Sequence, residues 1–172
     1  NNIIEKLAQC ISPPSDIRQQ ITRCQALLAE NKLDEALRVT DWILMVKPDS
    51  PRGLKLRGDV YRAMGEVERA VKAYVQAHEL SAIYLEPMIR LAEIFKDMDS
   101  ERALDYLKKL DGISPLNPDR KVDIGSVYLK LADTEKAVSY FDEGMEMASR
   151  EIAGRVGDVA SLFNLAQAFS SQ

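Results

Sequence analysis

Four alanines, Ala36, Ala70, Ala103 and Ala137, recur at intervals of 34, 33 and 34 residues. Each sits inside the same short phrase of sequence: LDEALRVT, VERAVKAY, SERALDYL and TEKAVSYF. A small residue precedes each by eleven or twelve positions (Cys24, Gly58, Ala92, Gly125), and a large one stands three beyond it (Leu27, Tyr61, Phe95, Tyr128). A chain that repeats itself at this period builds a stack of similar units, not one irregular core. No single unit carries enough apolar surface to fold alone, so each must bury its face against a neighbour.

Each unit divides into two helix-length segments joined by a short polar turn. In PRGLKLRGDVYRAM (51–64), Leu54, Gly58 and Tyr61 follow the i, i+4, i+7 spacing of one helix face. Gly65 then breaks the segment, because glycine readily takes the left-handed conformation that ends a helix. The next segment, VERAVKAYVQAHEL, places Val67, Ala70, Val71, Tyr74 and Ala77 on a common face. The small residues mark where two helices come close, and the aromatics fill the adjoining gap.

This pattern resembles the tetratricopeptide repeat. That motif takes a large apolar residue at position 4, Leu, Gly or Ala, and Tyr at 7, 8 and 11, Ala at 20, an aromatic at 24, Ala at 27 and Pro at 32. Counting from Pro51 gives Leu54, Arg57, Gly58, Tyr61, Ala70, Tyr74, Ala77 and Ala82; the units from Ile17, Leu85 and Pro118 follow suit. The last motif position reads Pro48, Ala82, Pro115 and Ser149. Two departures stand out. Arg23 and Arg57 occupy the leucine position, and one residue is missing between Phe95 and Ala103, which predicts a shortened turn or helix there.

The resemblance implies an all-α fold, a right-handed α-solenoid of four helix–turn–helix units. The expected division is 15–150 for the repeats (17–50, 51–84, 85–117 and 118–150), after an N-terminal helix and linker over 1–14. A C-terminal capping or interface helix is expected over 151–172. The segment IIEKLAQCI (3–11) is amphipathic and stopped by Ser12-Pro13-Pro14. The chain opens on Asn1-Asn2 without a methionine, which reads as a piece of a longer protein.

Composition narrows the function. With 23 basic and 27 acidic residues the net charge is −4, which disfavours a nucleic-acid partner. No apolar run is long enough for a membrane span. The two cysteines, Cys10 and Cys24, are too few for a disulfide framework or a zinc site; Cys24 falls at a small packing position, and a reduced, cytoplasmic setting is expected. No nucleotide-binding glycine loop, nucleophile elbow or metalloprotease motif occurs. His78, the one histidine, lies among packing residues and reads as structural. The chain is expected to be no enzyme and to need no cofactor or metal.

What remains is a surface. In tetratricopeptide proteins the first helices of successive units line a concave groove through positions 2, 5, 9 and 12. By that correspondence the groove candidates are Ile21 and Gln25, then Arg52, Lys55, Asp59 and Arg62, then Ile89 and Glu93, then Val122 and Ser126. Such a lining, apolar with charges of both signs, suits a peptide or protein ligand. Lys55 and Arg62 could meet acidic groups of a ligand, or could pair with Asp59, Glu86 and Glu93 on their own and the neighbouring helix. The carboxylate clamp of chaperone-binding relatives, Lys at position 5 and Asn at 9, is not reproduced, since Asp59 follows Lys55. Trp42 is expected toward the outer face, against the N-terminal helix or a partner.

A second reading rests on Val156, Val159, Phe163 and Phe169, a stripe that could pair with its copy in a homodimer and make the chain an oligomerisation module. Finally, YLEPMIRLAEIF (84–95) and DGISPLNPDRK (111–121) are similar to repeat regions fused behind receiver domains in bacterial response regulators, which implies a signalling context.

Overall fold

The computed structural model describes residues 17–170, with side chains as far as Arg155. The N-terminal helix expected over residues 1–14 lies outside the described residues. Among those described there are eight helices and no strand. They are α1 (Ile17–Ala29), α2 (Leu33–Val46), α3 (Pro51–Ala63), α4 (Val67–Leu80), α5 (Glu86–Met98), α6 (Ser100–Ile113), α7 (Pro118–Lys130) and α8 (Thr134–Ser170). The chain divides into two compact units, one ending at Ile94 and the other beginning at Phe95. In the first, α1 packs on α2, α3 on α4, and α3 also on α1 and α2; in the second, α7 packs on both α6 and α8.

Three of the four turns within helix pairs share one geometry. Asn31, Gly65 and Ala132 all have positive φ, at 57°, 79° and 60°. The residue after each donates its N–H five residues back, to Leu27, Tyr61 and Tyr128. The left-handed residue itself donates to the carbonyl three before it. This double closure satisfies carbonyls that the helix end would otherwise leave orphaned. The third turn lacks the left-handed residue: Asp99 alone separates α5 from α6, and its side chain accepts from the Arg102 N–H at 3.1 Å. The residue missing between Phe95 and Ala103 is therefore the one that bends the chain in the other pairs.

Ala132 carries a Cβ in a conformation that disfavours one by about 1 kcal/mol. Ala132→Gly is accordingly expected to raise stability by about that amount, read as a higher urea midpoint with an unchanged slope. An unchanged or lower midpoint would show that the turn holds no strain to relieve.

The helix contacts are made where small residues recur. A Cβ at Gly58 would lie 2.5 Å from the Tyr74 ring, and one at Gly125 would lie 2.8 Å from Phe141. Cys24, Ala36, Ile43 and Val60 are fully enclosed in one cluster from α1, α2 and α3. The Cys24 thiol points at the Ala36 carbonyl, 3.7 Å away; burial first, and the charge of Asp59 second, push its pKa up to about 11. That keeps it an unreactive thiol. Trp42 does not stand out on an open face: it is half-buried against this cluster. Of the two arginines at the leucine position, Arg57 lies half-buried and donates to Asp41 on α2, whereas Arg23 is exposed.

The C-terminal helix expected over 151–172 is not a separate element. It continues α8 without a break, giving 37 residues where the other second helices have 14. Ser149 stands where Pro48 and Pro115 end the first and third units, so nothing there interrupts the hydrogen-bond ladder.

Candidate partner-binding site

The first unit brings four of the groove candidates together. Ile21 and Gln25 project from α1 and Arg52 and Lys55 from α3; with Leu56, Tyr84 and Glu86 they line a cavity of about 130 Å³. A larger hollow of about 760 Å³ shares Ile21, Gln25, Arg52 and Tyr84. It is extended by Ile17 and Arg18 at the start of α1, by Lys47 and Ser50 between α2 and α3, and by Ile83 between α4 and α5. The floor forms because Ser50 caps α3 through the Gly53 N–H at 3.1 Å, and Pro51 fixes its first turn. Gly53 packs so closely on α2 that an added Cβ would meet Ile43 at 2.8 Å.

The remaining candidates of this unit form a closed charge network. Lys55 is 7% exposed and holds Asp59 at 2.9 Å and Glu86 at 2.8 Å. Asp59 also accepts from the Tyr74 hydroxyl at 2.8 Å and lies 3.8 Å from Arg90. Glu93 is shared by Arg62 and Arg90, each at 2.9 Å. Three cations thus face three carboxylates, and Ile89 sits partly exposed beside them. Burial alone would depress Lys55, but its bonds to Glu86 and Asp59 outweigh that and raise its pKa. Glu86 is lowered in turn, chiefly by its bond to Lys55. Burial first, then Asp59, pushes the Tyr74 hydroxyl up.

Lys55 and Arg62 are therefore committed to Asp59, Glu86 and Glu93. The cations left at the site are others. Neither Lys47 nor Arg52 has a hydrogen-bond or ion-pair partner for its side chain among the described residues. Lys47, Ile83 and Tyr84 lie in or beside connections, where helical spacing gives no guide. The one signal was Ile83, a large apolar residue in a segment too short to form an element.

Val122 and Ser126 lie on α7, in the second unit. Val122 is partly exposed, and the Ser126 hydroxyl donates to the Val122 carbonyl at 2.8 Å. Beside them Lys121, 8% exposed, joins Asp111 at 2.8 Å to Glu143 at 3.1 Å and so ties α6 to α8 through α7. On the extension of α8, Glu151, Ile152, Ala153, Gly154 and Arg155 are all exposed. The side chains of Val156, Val159, Phe163 and Phe169 lie outside the described residues. Among the described residues, no cluster of side chains could hold a metal ion, and no helix is long and apolar enough to cross a membrane.

Four successive helix pairs, each opening on a helix of 13 residues, three of them closed by a left-handed turn, and packed through small residues, define a helical-repeat protein. The family model of the tetratricopeptide repeat matches residues 56–84 and 121–150, which supports a tetratricopeptide assignment. No curated protein matches the chain. Among solved structures, the chain is similar to MamA, with a TM-score of 0.74 at 17% identity over 87% of this chain and 86% of that one. MamA from Desulfovibrio magneticus gives 0.69 at 17% identity, covering 79% and 77%. A thermophilic TPR protein of Thermus thermophilus gives 0.62 at 16%, covering 88% and 84%. Likeness at this level of identity shows the fold.

Proposed function

We propose that the chain is a non-enzymatic interaction scaffold whose partner, a protein or peptide, docks in the hollow between α1, α3 and the α4–α5 connection. The observation that carries this reading is the open hollow of about 760 Å³, with Ile83 on its wall 92% exposed. An apolar side chain so placed gains when a partner covers it. The resemblance of residues 84–95 and 111–121 to repeats behind bacterial receiver domains supports a signalling setting for that interaction. The exposed ring of residues 151–155 favours self-association through the α8 extension as a second reading, since a helix with an apolar stripe gains from a cover.

Photocrosslinking separates the two. A benzophenone amino acid placed at Ile83 is expected to capture a partner in cells of the source organism, while the same probe at exposed Arg38 does not. A probe at Ile152 that yields adducts of twice the chain mass supports self-association. Equal capture from Ile83 and Arg38 would sink the hollow as the docking site.

A further inference from the structure

The large hollow has a charge balance unlike that of the chain around it. Among the described residues, Lys47 and Arg52 line it with Arg18, and no carboxylate does, in a protein whose net charge is −4. Elsewhere on α3 and α5 in this unit, Lys55 is matched by Asp59 and Glu86, Arg62 by Glu93, and Arg90 by Asp59 and Glu93. Lys47 and Arg52 are not. They flank the first turn of α3, whose N-terminal end adds positive potential to the same spot. The apolar part of the wall is Ile17, Ile21, Ile83 and Tyr84.

From this we infer that the hollow takes an acidic–apolar segment of a partner protein, its side-chain carboxylates at Lys47 and Arg52 and its apolar side chains against Ile83, Ile21 and Tyr84. The inference rests on the docking site proposed above. The two cations come from different places, Lys47 from the α2–α3 connection and Arg52 from the first turn of α3, which suits two carboxylates along a segment better than the single one of a chain terminus. Apolar side chains between the carboxylates are required because the cations alone are exposed and would be screened at moderate salt. A nucleic acid would meet the same cations, but its full phosphate charge is opposed by the acidic chain around them.

The probe is a fluorescein-labelled octapeptide of alternating glutamate and leucine, acetylated and amidated so that it has no terminal charge. Its control replaces every glutamate with glutamine. In fluorescence anisotropy at low salt, the glutamate peptide is expected to bind about tenfold tighter than the glutamine one, a difference of about 1.4 kcal/mol. The Lys47→Gln/Arg52→Gln variant, altered only at exposed positions, is expected to lose that preference, and Ile83→Ser to weaken both peptides. Equal affinity for the two peptides, a preference that survives the double variant, no binding of either, or stronger binding of a single-stranded oligonucleotide would each overturn the inference. If the probe at Ile83 still captures a partner while the peptides show no charge preference, the docking site stands and its acidic ligand does not.

Discussion

Gly58→Ala is expected to destabilise the protein by about 1–3 kcal/mol, although alanine is the better helix former. Intrinsic propensity favours alanine over a mid-helix glycine by about 1 kcal/mol, so the contact must outweigh that gain before any loss appears. It does so because the obstacle cannot move. The added Cβ would lie 2.5 to 2.9 Å from three carbons of the Tyr74 ring. That ring is fully buried, and its hydroxyl is anchored on Asp59. At Gly125 the corresponding obstacle is Phe141, which is only half-buried and has no polar anchor, so Gly125→Ala is expected to cost less. Urea denaturation of both variants checks the order. The Gly58→Ala/Tyr74→Leu double variant should lose less than the sum of the two singles, because each change removes the other's penalty. Additive losses would place the damage elsewhere than at this contact.

That contact was legible from sequence. The small residue at one point in the repeat and the aromatic sixteen later recur as Gly58 with Tyr74 and Gly125 with Phe141, and the spacing alone sets two helices against each other. Turn geometry was read at Gly65. Asn31 adopts the same left-handed conformation, which asparagine favours next after glycine, so its signal was there to be read; Ala132 carries no such signal, and the packing of the flanking helices imposes the conformation on it. The continuous α8 was hidden for the opposite reason, since the missing signal was the absence of a proline at Ser149. At the site, the positions of Ile21, Gln25, Arg52 and Lys55 followed from the repeat register, whereas the pairing of their charges did not. Lys55 could reach a ligand or Asp59, and that choice depends on how closely the start of α5 approaches α3. The loop wall at Lys47 and Ile83 has no period to read.

Lys55→Ala is expected to cost about 2–4 kcal/mol at neutral pH, because it strands a partly buried carboxylate. The two arms of this lysine do not contribute alike. Asp59 is 15% exposed and Glu86 57%, so solvent weakens the second pairing and most of the effect lies in the first. Asp59 would keep the Tyr74 hydroxyl and the more distant Arg90, which holds the loss below that of an isolated buried charge. Lys55→Met retains the aliphatic stem and should cost less than Lys55→Ala, the difference reporting the stem's packing. The pH dependence separates charge from shape. Lys55 has a raised pKa in the fold, so its contribution is complete below the unfolded value of about 10.4 and is lost as pH rises through the folded one. Glu86 is lowered, so its contribution is complete above the unfolded value of about 4.3 and is lost as pH falls through the folded one. The gap in urea midpoint between wild type and Lys55→Met should therefore be widest from about pH 5 to 10 and narrow on both sides. A gap constant across pH would assign Lys55 a packing role alone and leave its charge available to a ligand.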